Sequence, residues 1–298
     1  MDILSIFWTF NTQEQCIAYL EQKRWGGDPQ GCIYCGSVRV GRHASGDRES
    51  QRWQCQDCHA SFSVTVGTIF QGTHIPLQNW FLVLGLMLNA KKAASAYQIA
   101  RDIGMRRPTV WSMMHRIRVA IAKDQDQGRF LYGIVEADET CVGAKPRKGN
   151  KKSNRKMRGP GSGRGTKKAV SLGAVKRGGR VVARHAKGTS GRVLNHFLSR
   201  HIDRAGTLLI TDEWQAKGIN GCKGNWAMIN HESQYADGAV QTNTIEGFWS
   251  LLKHASYGQR HRYSVTRLPL CLAEAAYKYN HRTNAKSFES LVGAMVSA

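Results

Sequence analysis

Phe130-Leu-Tyr-Gly-Ile-Val-Glu-Ala-Asp138 decides how this chain reads. Its apolar and β-branched residues predict a strand, and the strand delivers a carboxylate, Asp138, at its end. Thr207-Leu-Leu-Ile-Thr-Asp212 repeats the pattern. Between them, residues 168–175 and 180–184 predict a hairpin around Lys176-Arg-Gly-Gly179, and residues 192–200 predict a helix. A later helix is predicted over Asn243-Thr-Ile-Glu-Gly-Phe-Trp-Ser-Leu-Leu-Lys253. Three strands, a helix, a fourth strand and further helices describe an α/β half.

Two acids at strand ends and a third early on a helix suit two-metal phosphoryl transfer. Carboxylate oxygens hold a pair of Mg²⁺ (or Mn²⁺) ions about 4 Å apart, one beside the nucleophile and one beside the leaving oxygen. Glu246 is the third acid, with 33 residues between it and Asp212. Other roles exist for each. A single Asp commonly closes a strand. Glu246 follows Asn243 by three, the spacing of a capping box. Glu136, Glu139 and Glu213 stand close by; in a strand Glu136 shares the face of Asp138 and Glu139 takes the other.

The rest of the chain says what such a site would act on. It has 298 residues, about two domains' worth, and carries 43 Lys+Arg against 21 Asp+Glu, a formal charge of +22. That excess points to a polyanion. The longest apolar run, 80–88, is nine residues, about half of the ~20 that span a bilayer. The first ten residues hold an acid, Asp2, and no basic segment, unlike a signal peptide. Nucleic acid is therefore the expected partner, with no membrane. Eight cysteines in a chain this long do not make a secreted disulfide scaffold. Four fall in CxxC pairs, and Cys16, Cys141, Cys222 and Cys271 are scattered, which suits a reducing cytoplasm and a metal.

Cys32-Ile-Tyr-Cys35 and Cys55-Gln-Asp-Cys58 are nineteen residues apart, the spacing of a zinc ribbon. Four thiolates leave no open coordination position, so one Zn²⁺ there is structural. His59 is an alternative ligand or a solvated neighbour. Arg39, Arg42, Arg48 and Arg52 lie between the pairs, for DNA phosphates or for solubility. Residues 71–127 have helical periodicity. Within them Ala100, Gly104 and the apolar set Val110, Met113, Met114 and Ile117 fit a helix-turn-helix. Its exposed face would carry Arg107, Thr109, Ser112, His115 and Arg116, with Arg106 in the turn. From 145 to 168 there are eleven Lys/Arg, five Gly and no acid, a basic loop whose Lys151, Lys152, Arg155 and Lys156 would hold DNA without reading sequence.

Longer strings carry a resemblance that runs nearly end to end. They include Arg24-Trp25, Phe62-Ser-Val-Thr-Val-Gly-Thr-Ile-Phe70, Ile75-Pro-Leu77, Trp80-Phe81, Leu86–Lys92, Glu136-Ala-Asp-Glu-Thr140, Thr211-Asp212, Thr242–Lys253, and Tyr279-Asn280 with Arg282. The chain resembles a DDE-type insertion-sequence transposase of the zinc-ribbon, ISXO-like group. The resemblance implies a ribonuclease-H-like catalytic domain, a mixed sheet with flanking helices, behind a zinc ribbon and a helix-turn-helix domain. It implies Asp138, Asp212 and Glu246 as the metal-binding triad, with Lys253 in the same signature; positions 246, 250 and 253 share one helix face. Gln241 stands where the family usually has His, and Lys217 where an aromatic residue is common.

The expected domains are 1–70, 71–127 and 128–298. The expected function is binding of terminal inverted repeats in double-stranded DNA, cleavage at the element ends and joining of the 3′ ends to target DNA. The protein would act as a homodimer or larger assembly, in the cytoplasm and at the nucleoid. A non-cutting DNA-binding regulator and a structure-specific nuclease of the same fold are the alternatives.

Overall fold

The computed structural model describes residues 1–43, 52–124, 130–143, 168–212, 226–229, 240–256 and 264–296. Contacts divide the chain into one unit of Met1–Asp124 with Thr283–Ala298 and another of Gln125–Arg282.

In the first unit, α1 (Ile3–Thr9) and α2 (Gln13–Trp25) precede the paired cysteines. Thr12 and Gln15 form a reciprocal capping box that starts α2, and Gly26, at φ 78°, ends it. Three short strands, β1 (Val40–Arg42), β2 (Trp53–Cys55) and β3 (Ser61–Phe62), pair antiparallel in that order. Glu21, buried on α2, ties the ribbon to the helix. It accepts from both terminal nitrogens of Arg42 (3.1 and 3.0 Å) and from Trp53 Nε1 (2.8 Å). Arg24 adds a second tie, donating to the carbonyls of Val64 (2.8 Å) and Val66 (2.7 Å).

Helices α3 (Leu77–Asn89), α4 (Ala96–Asp102) and α5 (Arg107–Asp124) follow. The α4–α5 turn is a Schellman motif: Met105 N donates to Ala100 O (2.9 Å), Gly104 N donates to Arg101 O (3.4 Å), and Gly104 sits at φ 67°. Ala100, Val110, Met113, Met114 and Ile117 are buried, as a helix-turn-helix requires. The sequence reading closes the third domain at residue 298, whereas the last helix, Ser287–Val296, belongs to the first unit. Phe288 on that helix meets Phe10 and Phe81, with ring centroids 6.0 and 5.7 Å apart. An amphipathic pattern says that a helix has a partner but not which one.

The second unit is built on β4 (Leu131–Val142), β5 (Ala169–Lys176), β6 (Val181–Ala186), β7 (Ile202–Asp212) and β8 (Trp226–Ile229), in the order β6-β5-β4-β7-β8. The first three form an antiparallel meander. Helix α6 (Gly191–His201) then crosses over and brings β7 in parallel to β4, with β8 parallel beyond it. This is the ribonuclease-H-like mixed sheet. Strand alternation sorts its two faces. Val135, Ala137, Leu172 and Ala174 pack with Leu194, Phe197 and Leu198 of α6. Val142, Val175 and Val181 pack on the other side with Ile245, Phe248, Trp249 and Leu252 of α7 (Asn243–Ala255) and Leu272 of α8 (Leu268–Asn280). The final helix, Ser287–Val296, is α9. Asn280 stitches α8 to β6, accepting from Val181 N (2.7 Å) and donating to Val181 O (3.0 Å).

Glu21→Ala should destabilise the first unit by about 1–3 kcal/mol, because Trp53 Nε1 is left buried without an acceptor. Urea unfolding of zinc-loaded protein, followed by tryptophan fluorescence, measures it.

Candidate functional site

β4 continues four residues beyond Asp138, so the acid does not end the strand. It stands instead where one of the strand's two ladders stops. The parallel pairing of β4 with β7 runs to Ala137 opposite Thr211, while the antiparallel pairing with β5 continues to Val142. The next residues after that last parallel pair are Asp138 and Asp212, at matching positions of neighbouring strands. Asp138 is half-buried, and its Oδ1 accepts from Glu139 N (2.7 Å).

Glu246 lies in the first turn of α7. The capping-box arrangement is not adopted: the helix begins at Asn243 with Thr242 as N-cap, and no side chain of the cap bonds the backbone. Thr242 Oγ1 donates instead to Glu246 Oε1 (2.9 Å). Glu246, Ser250 and Lys253 are all exposed, along one side of the helix, while Ile245, Phe248, Trp249 and Leu252 are buried on the other.

What anchors this helix beside Asp138 is Glu136, two residues earlier on β4. Its carboxylate is fully buried. Oε2 accepts from the backbone N–H groups of Thr244 (2.8 Å) and Ile245 (3.0 Å), and Oε1 from Thr244 Oγ1 (2.8 Å) and Arg177 Nε (2.6 Å). Gly173, cross-strand from Asp138, makes the second anchor. A Cβ there would stand 2.5 Å from Trp249 Cζ2 and 3.1 Å from Ile245 Cδ1, so only glycine lets α7 lie this close to the sheet. Sequence reasoning missed Gly173, Arg177 and Thr244. A lone glycine inside Ala169-Val-Ser-Leu-Gly-Ala-Val175 is a signal of close approach and was available for the first of them.

The cysteines form a separate centre. The four Sγ atoms of Cys32, Cys35, Cys55 and Cys58 lie within 4.8 Å of one another, with Cys32 to Cys58 and Cys35 to Cys55 both 3.7 Å. Sulfurs about 2.3 Å from a tetrahedral Zn²⁺ stand about 3.8 Å apart, so the set fits one structural zinc. The four thiols bond one another and divide: backbone hydrogen bonding from Cys58 first brings Cys55 down to about 6, while at Cys35 the backbone hydrogen bond from Ser37 is outweighed by its cysteine neighbours and burial, which push it up to about 12. Both knuckles turn the same way: Gly36 follows Cys35 at φ 76° and His59 follows Cys58 at φ 57°. His59 therefore holds the turn position that glycine holds in the first knuckle, and among the described residues the four cysteines alone form the cluster. The described arginines between the pairs are engaged within the unit: Arg39 with Asp57 (2.7 Å), Arg42 with Glu21, and Arg52 with Ser61 O (3.0 Å).

On α5 and its turn, Arg106, Arg107 and Ser112 are exposed and Thr109 is half-buried. His115 stacks on Trp111, with ring centroids 5.4 Å apart. Arg116 is half-buried; it donates to Gln71 O (2.9 Å) and its guanidinium lies 5.3 Å from the Trp80 ring. Lys151, Lys152, Arg155 and Lys156 lie outside the described residues, as does Lys217. Among the described residues no helix is long and apolar enough to cross a membrane.

Comparison with known proteins places this arrangement. Residues 130–280 match the family model described as ISXO2-like transposase domain, and residues 11–61 match the transposase zinc-ribbon domain. The chain belongs to the ISXO2-like transposase family. A protein of transposable element ISH50 from Halobacterium salinarum, itself described as uncharacterized, is 30% identical over 139 residues, which are 46% of this chain and 44% of that protein. The chain thus spans less than half the length of this curated relative. Solved structures similar to it include a pre-cleavage Mos1 transpososome (12% identity, 70% of this chain and 76% of that one, TM-score 0.23). A Mos1 transposase paired-end complex with left transposon end is also similar (13% identity, 71% and 77%, TM-score 0.24).

Two substitutions check the geometry. Gly173→Ala should overpack the seat of Trp249 and cost about 1–3 kcal/mol of stability, read by denaturant unfolding. His59→Gly should relieve a left-handed non-glycine backbone and gain up to about 1 kcal/mol in the zinc-loaded protein, read as slower zinc loss to a chelator.

Proposed function

We propose that this transposase family member is a divalent-metal-dependent DNA strand transferase that mobilises its own element. The observation that carries the reading is the register of β4 and β7, which stands Asp138 and Asp212 at neighbouring positions, beside a helix tied to the same strand and bearing Glu246. Asp138, Asp212 and Glu246 are hard oxygen donors, the set that Mg²⁺ or Mn²⁺ prefers, and would hold two such ions. Bound there, the ions supply the charge that stabilises a phosphodiester under attack and make water or a hydroxyl a better nucleophile.

In the first reaction water breaks the P–O3′ bond at each element end, leaving a 3′-hydroxyl on the element and a 5′-phosphate on the flank. In the second, that hydroxyl attacks a target phosphodiester, forming a new P–O3′ bond and releasing the target's own 3′ oxygen. Lys253, on the exposed side of α7 with Glu246, would neutralise a phosphate held near the acids. The zinc ribbon and helix-turn-helix would bind the terminal inverted repeats. There α5 enters the major groove through Arg106, Arg107, Thr109, Ser112 and His115, with Arg116 in a supporting place. The basic segment 145–168, including Lys151, Lys152, Arg155 and Lys156, would add contacts to phosphates of any sequence. Two ends must be joined in one event, so the working form is a dimer or larger assembly on DNA.

Incubation of the protein with end-sequence duplex, target DNA and Mg²⁺ should give joined strands, and Asp138→Asn should reduce cleavage and joining alike to background. Cut strands that are never joined would identify a nuclease, and binding without cutting a regulator. Deleting residues 145–168 should weaken binding evenly across sequences and flatten the dependence of log K on log salt; a loss confined to one sequence contradicts that role.

A further inference from the structure

Glu136 stands two residues before Asp138 in the strand and shares its face, which makes it a rival for a place in the metal site. Its surroundings assign it another task. Both oxygens are occupied by four donors, from Thr244 N, Thr244 Oγ1, Ile245 N and Arg177 Nε, and the side chain has no exposed surface. Two of those donors are backbone N–H groups of the first turn of α7, which have no partner inside the helix. The helix's own N-cap residue supplies no side-chain cap. A carboxylate from a strand more than a hundred residues earlier does so instead, at the positive end of the helix dipole.

Arg177 completes the joint. Its Nε donates to Glu136 at 2.6 Å, its Nη2 to the carbonyl of Gln241 at 2.7 Å, and its backbone N–H to Ile134 O at 3.0 Å. One residue from the β5–β6 turn thus holds β4 and the peptide leading into α7 together. Ile245, whose N–H is bound by Glu136, immediately precedes Glu246. The route from Asp138 to Glu246 is therefore two strand residues, one buried carboxylate and one helical residue. No flexible segment intervenes.

We propose that Glu136, buttressed by Arg177, is a positioning residue: it sets the placement of Glu246 relative to Asp138 and so the affinity of the site for divalent ions. This rests on the proposed metal-dependent function. Mg²⁺ demands near-ideal octahedral geometry, so a carboxylate displaced by a fraction of an ångström costs more than a loosened loop would.

The test uses full-length protein with Glu136→Gln, Arg177→Lys, which keeps the charge but loses the fork, and Asp138→Asn as the reference. Three quantities are read: Mn²⁺ binding to the protein on end-sequence DNA, the Mg²⁺ concentration giving half-maximal cleavage, and amide hydrogen exchange at Thr244 and Ile245. The expected result is faster exchange at those two amides and about ten- to a hundredfold weaker Mn²⁺ binding in Glu136→Gln. The half-saturating Mg²⁺ should rise correspondingly, with DNA affinity unchanged, and Arg177→Lys should shift all three the same way by less. If Glu136→Gln fails to fold, Arg177→Lys carries the same readouts. Unchanged metal binding and half-saturation in variants whose exchange has risen would overturn the positioning role and leave the function standing. So would a smaller active fraction at the wild-type half-saturation. Cleavage that survives Asp138→Asn overturns the metal-dependent function itself. A wild type that neither binds Mn²⁺ nor cleaves overturns both.

Discussion

A carboxylate buried in a sheet must find donors inside the protein, because the water it gave up would otherwise have supplied them. At Glu136 those donors are the open N-terminus of α7 and the guanidinium of Arg177. Each group solves the other's problem: the strand brings an unsatisfied anion, and the helix brings unsatisfied N–H groups. Sheet and helix are thus coupled by more than apolar contact. The coupling also fixes direction, since a helix packed on Ile245, Phe248, Trp249 and Leu252 alone could slide along the sheet. With its first turn bound to Glu136 and Trp249 seated over Gly173, it cannot.

The zinc ribbon faces a similar constraint on a smaller scale. Three strands of two or three residues bury too little to hold themselves together. Cross-links take over that role: four thiols gathered for one zinc, and Glu21 receiving Arg42 and Trp53 from the strands. The backbone accommodates the metal by placing one residue after each knuckle in the left-handed region, Gly36 without cost and His59 at some cost.

The excess of positive charge looks different once the arginines are located. Arg24, Arg39, Arg42, Arg52, Arg116 and Arg177 are each bound to a carbonyl or carboxylate of the chain. Arginine serves this purpose because its fork reaches several acceptors at once. Part of the basic composition therefore also serves as internal scaffolding, while the formal +22 already counts the acids that these arginines meet.

Much of the molecule is legible in its order of residues. The zinc ribbon is legible because CxxC spacing is local, and two such pairs at this separation gather four thiols for one metal. The mixed sheet is legible from strand patterns and a crossover helix, and the short α4–α5 turn from Gly104. Asp138 and Asp212 stand out as acids closing apolar runs, although Asp138 ends one ladder rather than the strand. The limits are equally physical. Periodicity shows that the last helix is amphipathic, not that it joins Phe10 and Phe81. Alternation shows that Glu136 shares a face with Asp138, not that a helix start lands on it. Sequence by itself determined the local elements, the metal-binding thiols and the inventory of acids, because these depend on neighbours along the chain. Only the tertiary structure decided which acid became a buried cap, which arginines tie distant parts of the chain together and how closely α7 could approach the sheet. Those outcomes depend on partners distant along the chain, and burial, not sequence position, sets their energies.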